Sequence, residues 1–362
     1  MRILVDLRKI SSKPSGIGIY TYNFVKALTK FKDIEIIGVS DILESEEILD
    51  LNRKINISLY GVKVDKTYIV VRYFKFIQSK INEYKPDLFW ETNNIMPIKI
   101  TNSYGKIMTT IHDIFPITSR ENYKLMYRLY FRYCIKKTIK YSDNLVYVSN
   151  FTKSEVEKFF LQAKYKSNYI SYNIVEINEN SVELSEDNNY LLFIGNIEKR
   201  KGVDILIKAF KLYKDAGGEK KLYICGSIRD QSILEDINIM KKIGLDIEYK
   251  GYVSNKEKNE LINKSSALVF PSRAEGFGIP IIESIAMNKK CIISNISVFK
   301  EVIGDNAIYF DLVDSVDTSA VNLKNAMLSY ATSNIKCNKR IISKYNMNNL
   351  GTKFYNYILL NS

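Results

Sequence analysis

The sequence predicts an α/β protein made of two doubly wound domains, each a parallel sheet with helices on its faces. At 362 residues, the chain is longer than one compact core usually is. Short apolar runs alternate with longer amphipathic stretches, a pattern typical of strands joined by crossover helices. A polar stretch over residues 177–189 lacks apolar periodicity and is predicted to be the linker between two such series.

Five short apolar runs in the first half predict one sheet, in a domain over residues 1–176. A glycine turn after the first run leads into a helix predicted to begin near Tyr20. The first run contains Asp6 and no cleavage-site pattern follows it, so we predict a strand there rather than a signal peptide. The predicted strands are Ile3–Leu7, Ile34–Val39, Leu88–Trp90, Ile107–Ile111 and Leu145–Val148.

Six apolar runs after the linker predict a second sheet, in a domain over residues 190–345. Amphipathic segments between them predict helices over Val203–Lys214 and Lys256–Lys264. The tyrosine-rich end, residues 346–362, is predicted to form a helix that crosses back to the first domain. The predicted strands are Tyr190–Ile194, Leu222–Cys225, Ile247–Tyr249, Ala267–Phe270, Cys291–Ile293 and Ala307–Phe310.

The composition is that of an ordinary soluble protein, with 46% apolar and 26% charged residues. No segment approaches the roughly 18 consecutive apolar residues of a membrane span. We therefore expect a cytoplasmic protein. Its four cysteines are widely spaced, which predicts reduced and mostly buried thiols rather than disulfides. They are Cys134, Cys225, Cys291 and Cys337.

The formal net charge of +13 is concentrated in residues 51–150, which contain 17 Lys and Arg against 7 Asp and Glu. Much of this excess lies in residues 123–141, where basic and aromatic side chains alternate at helical spacing. Such a helix can rest on an anionic membrane surface, peripheral on the inner face of the membrane. A solvated charged face explains the pattern equally well, and both interpretations stay open here.

A glycine-rich segment, Pro271–Ala286, follows the predicted strand Ala267–Phe270 and leads into a helix that Pro280 is predicted to open. Free backbone N–H groups and the positive end of the helix dipole attract anions at such a helix start. Two carboxylates, Glu275 and Glu283, frame the glycines. The segment therefore predicts a nucleotide or sugar phosphate pocket.

A basic turn follows the first strand of the second domain, where Gly195 and Asn196 precede Lys199, Arg200 and Lys201. Basic side chains at the carboxyl end of a strand are well placed to bind a diphosphate. A solvated charge run is the alternative, but the position at the ligand edge of the sheet favours binding.

His112, the only histidine, follows a predicted strand, with Asp113 beside it either to orient the ring or to cap the next turn. One histidine and scattered cysteines predict no metal site.

Gly16 and Gly18 precede a helix, where they either let the backbone approach a ligand phosphate or form a plain turn. We find no serine elbow and no Walker-type loop, which disfavours hydrolase and kinase chemistry.

Together these segments resemble the retaining nucleotide-sugar glycosyltransferases of family 4, whose GT-B fold has two Rossmann-like domains facing each other across a cleft. The resemblance covers nearly the whole chain. Its most specific part is the pair Glu275 and Glu283, separated by seven residues as in the family. The other segments that carry it are SGIGIY, TTIHDIFP, VSNFTKSEV, FIGNIEKRKG and GYVSNKEKNELINKSSALVFPS.

The resemblance implies that Glu283 binds the donor ribose, that Glu275 lies near the transferred sugar and that Lys201 neutralises the diphosphate. The backbone amides of Phe277, Gly278 and Ile279 would contact the sugar and diphosphate. His112, Glu275 and Lys201 are thus the predicted catalytic residues.

The first domain is expected to contribute Gly16 at the diphosphate and His112 in the sugar pocket, with Gly18, Asp113 and Ser149 as further binding candidates. Two positions depart from the family pattern. Asn196 stands where many members have arginine, a charge that Arg200 is expected to supply, and Ile19 stands where related sequences often have arginine.

The resemblance implies a retaining, metal-independent transfer of a hexose from a GDP- or UDP-linked donor, with no further cofactor. Arg200 and Lys201 resemble the pair of mannosyltransferase-like members, which favours mannose. The expected acceptor is a lipid-linked or polysaccharide glycan of bacterial-type cell-surface synthesis. Three alternatives stay open: a nucleotide-sugar epimerase, a non-catalytic sugar-nucleotide-binding protein, and a basic nucleic-acid-binding protein, which the lack of a recognition motif disfavours.

Overall fold

The computed structural model describes residues 1–10, 14–176, 188–333, 335 and 340–362. The chain divides into one unit of Met1–Glu176 with Lys344–Ser362 and a second of Ile177–Ser343. Most of the predicted linker, residues 177–187, lies outside the described residues, as does Cys337. The chain rejoins the first unit at Lys344, slightly before the predicted position 346, because Tyr345 is fully buried and its carbonyl accepts a hydrogen bond from Val175.

The first unit contains a seven-stranded parallel sheet of order β3-β2-β1-β4-β5-β6-β7. Its strands are β1 (Arg2–Asp6), β2 (Glu35–Ser40), β3 (Asn56–Leu59), β4 (Leu88–Glu91), β5 (Lys106–Ile111), β6 (Asn144–Tyr147) and β7 (Ser167–Ile170). Its helices before the linker are α1 (Gly16–Leu28), α2 (Glu46–Asn52), α3 (Thr67–Tyr84), α4 (Phe115–Thr118), α5 (Leu125–Tyr141) and α6 (Asn150–Phe159).

The end of the chain returns to this unit and packs against α1. Helix α14 (Met347–Asn361) places Gly351 so close to α1 that an added Cβ would lie 2.7 Å from the Ala27 Cβ. The Phe354 ring meets Phe24 edge to face, with the two centroids 4.8 Å apart. The buried aromatic contacts show why a tyrosine- and phenylalanine-rich terminus forms a helix here.

The second unit contains a six-stranded parallel sheet of order β10-β9-β8-β11-β12-β13. Its strands are β8 (Tyr190–Ile194), β9 (Lys221–Cys225), β10 (Ile247–Gly251), β11 (Ala267–Phe270), β12 (Lys290–Ser294) and β13 (Ile308–Phe310). Its helices are α7 (Val203–Asp215), α8 (Gln231–Lys242), α9 (Asn255–Lys264), α10 (Ile279–Ala286), α11 (Ser297–Ile303) and α12 (Val316–Ser329). Helix α13 (Arg340–Tyr345) spans the boundary between the units.

All eleven predicted strands are present, and most have ends that differ by one or two residues from the predicted ends. Strands β3 and β7 were not predicted because their residues are only partly buried and carry no apolar run. The prediction that the first helix begins near Tyr20 was wrong, since α1 begins at Gly16. Helix α10 begins at Ile279, one residue before Pro280. Cys134, Cys225 and Cys291 are buried free thiols.

Candidate active site

The glycine-rich segment and the basic turn lie beside each other at the switch point of the second sheet. Strands β9 and β10 extend from one side of β8, and β11 to β13 extend from the other, so the strand order reverses between β8 and β11. In open parallel sheets, ligands bind at the carboxyl ends of strands where the order reverses. The loop after β8 contains residues 195–202, and the loop after β11 contains residues 271–278.

Hydrogen bonds join these two loops. The Arg273 N–H donates to the Arg200 carbonyl at 2.8 Å, and the Arg200 guanidinium donates to the Ala274 carbonyl, also at 2.8 Å. Gly202 has a φ of 70°, and an added Cβ would lie 2.0 Å from the Pro271 carbonyl oxygen. Only glycine fits this left-handed position at such a close backbone approach.

The two loops bring Lys201 and Glu275 together as a buried ion pair. Lys201 Nζ donates to Glu275 Oε1, which also accepts a 2.9 Å hydrogen bond from the Ser272 hydroxyl. Arg200 contributes a second positive charge, 3.9 Å from Glu275 Oε2. The structure therefore places two predicted catalytic residues, Lys201 and Glu275, in direct contact.

The surroundings of this pair shift both pKa values downward. Burial lowers the pKa of Lys201 although Glu275 opposes the shift. Burial alone would raise the pKa of Glu275, but the charges of Lys201 and Arg200 outweigh it and lower that pKa. Opposite charges at short range favour the ionised form of a carboxyl. Glu275 is therefore a carboxylate at neutral pH.

Two residues that the sequence did not single out support this arrangement. Arg273 forms two 2.7 Å hydrogen bonds to the carboxylate of Asp204, in the first turn of α7, and also donates to the Lys199 carbonyl. A bidentate arginine–carboxylate pair constrains geometry as well as adding attraction. Arg273 thus positions the turn that carries Lys201.

The start of α10 has the backbone arrangement expected of an anion-binding helix terminus. Gly278 is the N-cap residue with a φ of 102°, and an added Cβ would lie 2.9 Å from the Phe299 ring. Phe277 is buried, and Ile279 is the first helical residue. Pro280 has no N–H, and the Ile281 N–H donates to the Gly278 carbonyl at 3.1 Å, so an anion at this helix start would meet the N–H groups that precede Pro280.

Glu283 lies further along α10 and pairs with a lysine that the sequence analysis missed. Lys258, on α9, donates to Glu283 Oε1 at 2.5 Å. The other carboxylate oxygen, Oε2, is buried and has no hydrogen-bond partner among the described residues. Asn196, the position that departs from the family pattern, is half-buried and makes no side-chain hydrogen bond within the described part of the chain.

In the first unit, His112 is a buried neutral histidine. Its Nε2 lies 2.9 Å from the Thr92 carbonyl oxygen, and its backbone N–H donates to Asn94. Burial lowers the pKa of His112 to about 4, only partly opposed by the hydrogen bond to Thr92. The carbonyl can only accept, so Nε2 carries the proton and Nδ1 is a potential acceptor. Whether His112 contacts a sugar stays a prediction.

The other candidate binding residues of the first unit differ in how far they take part in local hydrogen bonds and packing. Ser149 is fully buried and caps α6, where its Oγ accepts from the Thr152 N–H at 3.0 Å, and its role at a ligand stays a prediction. Asp113 caps the turn that follows it by accepting from the Phe115 N–H. Gly18 packs on the Lys9 carbonyl, whereas Gly16 is exposed at the start of α1.

The switch point of the first sheet, between β1 and β4, contains a buried charge cluster that the sequence analysis missed. The Arg8 guanidinium lies 3.1 Å from Asp6 and 3.6 Å from Glu91, and the Tyr73 hydroxyl donates to Asp6 at 2.7 Å. Burial and the neighbouring Asp6 raise the pKa of Glu91 well above 4.5, although Arg8 opposes the shift. Glu91 therefore binds a proton more tightly in the folded protein than in the unfolded chain.

This raised pKa makes a prediction about stability. The free energy of unfolding should fall as the pH rises from about 4.5 toward the raised pKa, because the folded state binds the extra proton in that window. Glu91→Gln mimics the protonated form and should flatten this fall in the free energy of unfolding above about pH 4.5. Urea denaturation at several pH values measures this. Glu83→Gln, on the surface of α3, is the control, and parallel curves for wild type and Glu91→Gln would refute the account.

Among the described residues, no group of three or more His, Cys, Asp or Glu side chains is arranged to bind a metal ion. Across the same ranges, no helix is long and apolar enough to span a membrane.

Comparison with known proteins supports the family resemblance. Residues 175–343 match the family model for glycosyl transferases group 1. O-antigen chain mannosyltransferase RfbU of Salmonella typhimurium is 24% identical over 321 residues, covering 85% of this chain and 86% of that protein. O-antigen chain mannosyltransferase B of Escherichia coli is 23% identical over 352 residues, covering 90% and 91%. The second unit, residues 177–343, therefore matches the group 1 glycosyl transferase model over its whole length.

The fold of the chain also matches solved structures. HepE of Anabaena, in complex with UDP and glucose, aligns over 99% of both chains with a TM-score of 0.74 and 13% sequence identity. The prediction of a group 1 glycosyltransferase with two Rossmann-like sheets of the GT-B type is confirmed. The assignment to family 4 in particular, and the roles of individual residues, stay predictions.

Proposed function

We propose that this group 1 glycosyltransferase transfers a hexose, with mannose favoured, from a GDP- or UDP-linked donor to a lipid-linked or polysaccharide acceptor in cell-surface glycan synthesis. The buried Lys201–Glu275 pair at the switch point of the second sheet is the observation that carries this proposal. Similarity to two O-antigen mannosyltransferases supports mannose as the sugar.

The charges at the site suit the departure of a diphosphate. Breaking a glycosyl–phosphate bond leaves negative charge on the departing diphosphate, and fixed positive groups placed there in advance lower the barrier. Lys201 and Arg200 supply two such charges, and the start of α10 adds backbone N–H groups. A donor diphosphate would compete with Glu275 for Lys201 and free the carboxylate to face the sugar.

The proposed transfer keeps the configuration of the sugar and needs neither a metal ion nor a cofactor. The charges of Lys201 and Arg200 would neutralise the diphosphate, a task that a divalent cation performs at other phosphate sites. For retention, the acceptor hydroxyl would attack from the face that the diphosphate leaves, with the departing phosphate assisting.

A donor panel tests the proposed activity. UDP- and GDP-linked glucose, galactose and mannose are incubated with the protein and a lipid-linked glycan extract, and nucleotide release is measured with and without EDTA. We expect release from one donor class, with GDP-mannose favoured, and no loss of rate with EDTA. A protein that binds donors without releasing nucleotide would instead be a non-catalytic sugar-nucleotide-binding protein.

We further propose that α5 rests on an anionic membrane surface, in keeping with a lipid-linked acceptor at the inner face of the membrane. Its buried side packs on the first sheet through Phe131, Ile135 and Ile139. The opposite side exposes large apolar residues in the first turns and basic residues further along. The apolar residues are Leu125, Met126, Leu129 and Tyr133, all more than half exposed, and the exposed basic ones are Arg132, Lys136 and Lys140.

Vesicle binding tests this surface. The wild type should sediment with vesicles containing phosphatidylglycerol and much less with phosphatidylcholine alone. Because each basic residue near an anionic surface contributes about 1 kcal/mol, Arg132→Gln with Lys136→Gln should weaken binding roughly 10- to 30-fold. The control replaces two exposed lysines of α8, Lys241→Gln with Lys242→Gln. Equal or negligible binding to both vesicle types would show that α5 is a solvated charged face.

A further inference from the structure

The pairing of Lys258 with Glu283 joins two helices beside the candidate donor site. Helix α9 begins with a capping box in which Ser254 and Glu257 bond each other's backbone N–H groups, and this fixes the first turn, which carries Lys258. Helix α10 begins at the glycine loop and carries Glu283 on its buried side. The side chains are mostly buried, 16% exposed for Lys258 and 10% for Glu283.

The pair has unused hydrogen-bonding capacity on both members. Glu283 Oε2 is buried and has no partner among the described residues. An ammonium group has three N–H donors, and the only hydrogen bond from Lys258 in the described ranges goes to Glu283 Oε1. A buried polar atom without a partner is costly, so it calls for an explanation such as a ligand.

Unused acceptor and donor groups side by side match a vicinal diol. One hydroxyl of such a diol can donate to the carboxylate oxygen, and the neighbouring hydroxyl can accept from the ammonium group. An acceptor-only carboxylate provides no donor for the second hydroxyl. Lys258 therefore supplies the N–H donor that Glu283 lacks, and it also balances the charge of the buried carboxylate.

We propose that Lys258 is a donor-binding residue that recognises, together with Glu283, the 2′- and 3′-hydroxyls of the donor ribose. This inference rests on the proposed function, because the resemblance assigns only Glu283 to the ribose. The pair selects ribonucleotides over deoxyribonucleotides, with each residue responsible chiefly for one hydroxyl.

Calorimetric titration with GDP and UDP and with their 2′-deoxy and 3′-deoxy analogues tests this. The wild type should bind the better ribonucleotide about 10- to 100-fold more tightly than either analogue, the range expected for hydrogen bonds to charged groups. Lys258→Met should lose discrimination against one analogue and keep it against the other. Loss for a single hydroxyl separates ribose recognition from general damage to the site.

Lys256→Met is the matched control, since Lys256 is an exposed neighbour on α9, and it should bind as the wild type does. If Lys258→Met does not fold, Lys258→Leu replaces it with the same expectation, because neither side chain offers an N–H donor to a ribose hydroxyl. If a folded Lys258 variant discriminates against both analogues as the wild type does, the inference about Lys258 is wrong. That outcome would leave the proposed function unaffected. A wild type that binds neither GDP nor UDP would overturn the proposed function with it.

Discussion

Lys201→Met is expected to lower kcat for donor turnover by roughly 100- to 1,000-fold, the usual effect of removing one preorganised charge or donor from a transition state. Lys201 is the buried cation nearest Glu275. Arg200 lies 3.9 Å from that carboxylate, too far to take the place of Lys201. The measurement is steady-state nucleotide release at saturating donor. A larger effect on kcat than on KM is expected, because the charge on the diphosphate grows as the bond breaks.

The same change should also reduce stability, because it leaves Glu275 buried without its main counter-ion. Removing one partner of a buried pair typically costs about 3–5 kcal/mol, and Arg200 and Ser272 should limit the loss to the lower end. Lys242→Met is the control, since Lys242 is an exposed lysine of α8, outside the two loops. A folded Lys201→Met variant with wild-type kcat would remove Lys201 from the mechanism.

Glu275→Gln is expected to lower kcat roughly 100-fold and to change the pH dependence of the remaining activity. The amide can still accept from Ser272 but cannot neutralise Lys201. Burial already lowers the pKa of Lys201, and removing the opposing charge lowers it further. Lys201 acts as a cation, so activity falls as the pH rises through its pKa. The alkaline limb of the pH–rate profile should therefore move to lower pH.

The control for this variant is Glu260→Gln, which removes an exposed carboxylate of α9. Its kcat and its alkaline limb should match those of the wild type. An alkaline limb that does not move in Glu275→Gln, with kcat unchanged, would show that the Lys201–Glu275 pair is structural only.

Sequence patterns predicted the two sheets well because buried parallel strands are continuous apolar runs, such as Ala267–Phe270. They missed β3 and β7, which are partly exposed and so carry no such run. The start of α1 was misplaced because Gly16 and Gly18 indicate a turn, although Gly18 is needed for close packing on the Lys9 carbonyl.

The residues of the candidate site also divide into those that sequence patterns predicted and those that they missed. Lys201 and Glu275 were found because each follows a strand at the ligand edge of the sheet. Arg273 with Asp204, and Lys258 with Glu283, are separated by 69 and 25 residues and carry no motif of their own. Only the packing of α7 and α9 beside the glycine loop brings these partners together. The sequence analysis also did not predict that the Ser149 hydroxyl caps a helix.

The central claim is that the loops after β8 and β11 hold the nucleotide diphosphate of the donor. Hydrogen exchange of the full-length protein, with and without saturating GDP or UDP, tests it most directly. The account predicts slower exchange in residues 195–202 and 271–280 with the preferred nucleotide, and loss of this protection in Lys201→Met at the same concentration. Nucleotide binding that leaves both loops exchanging at their free rates would contradict it.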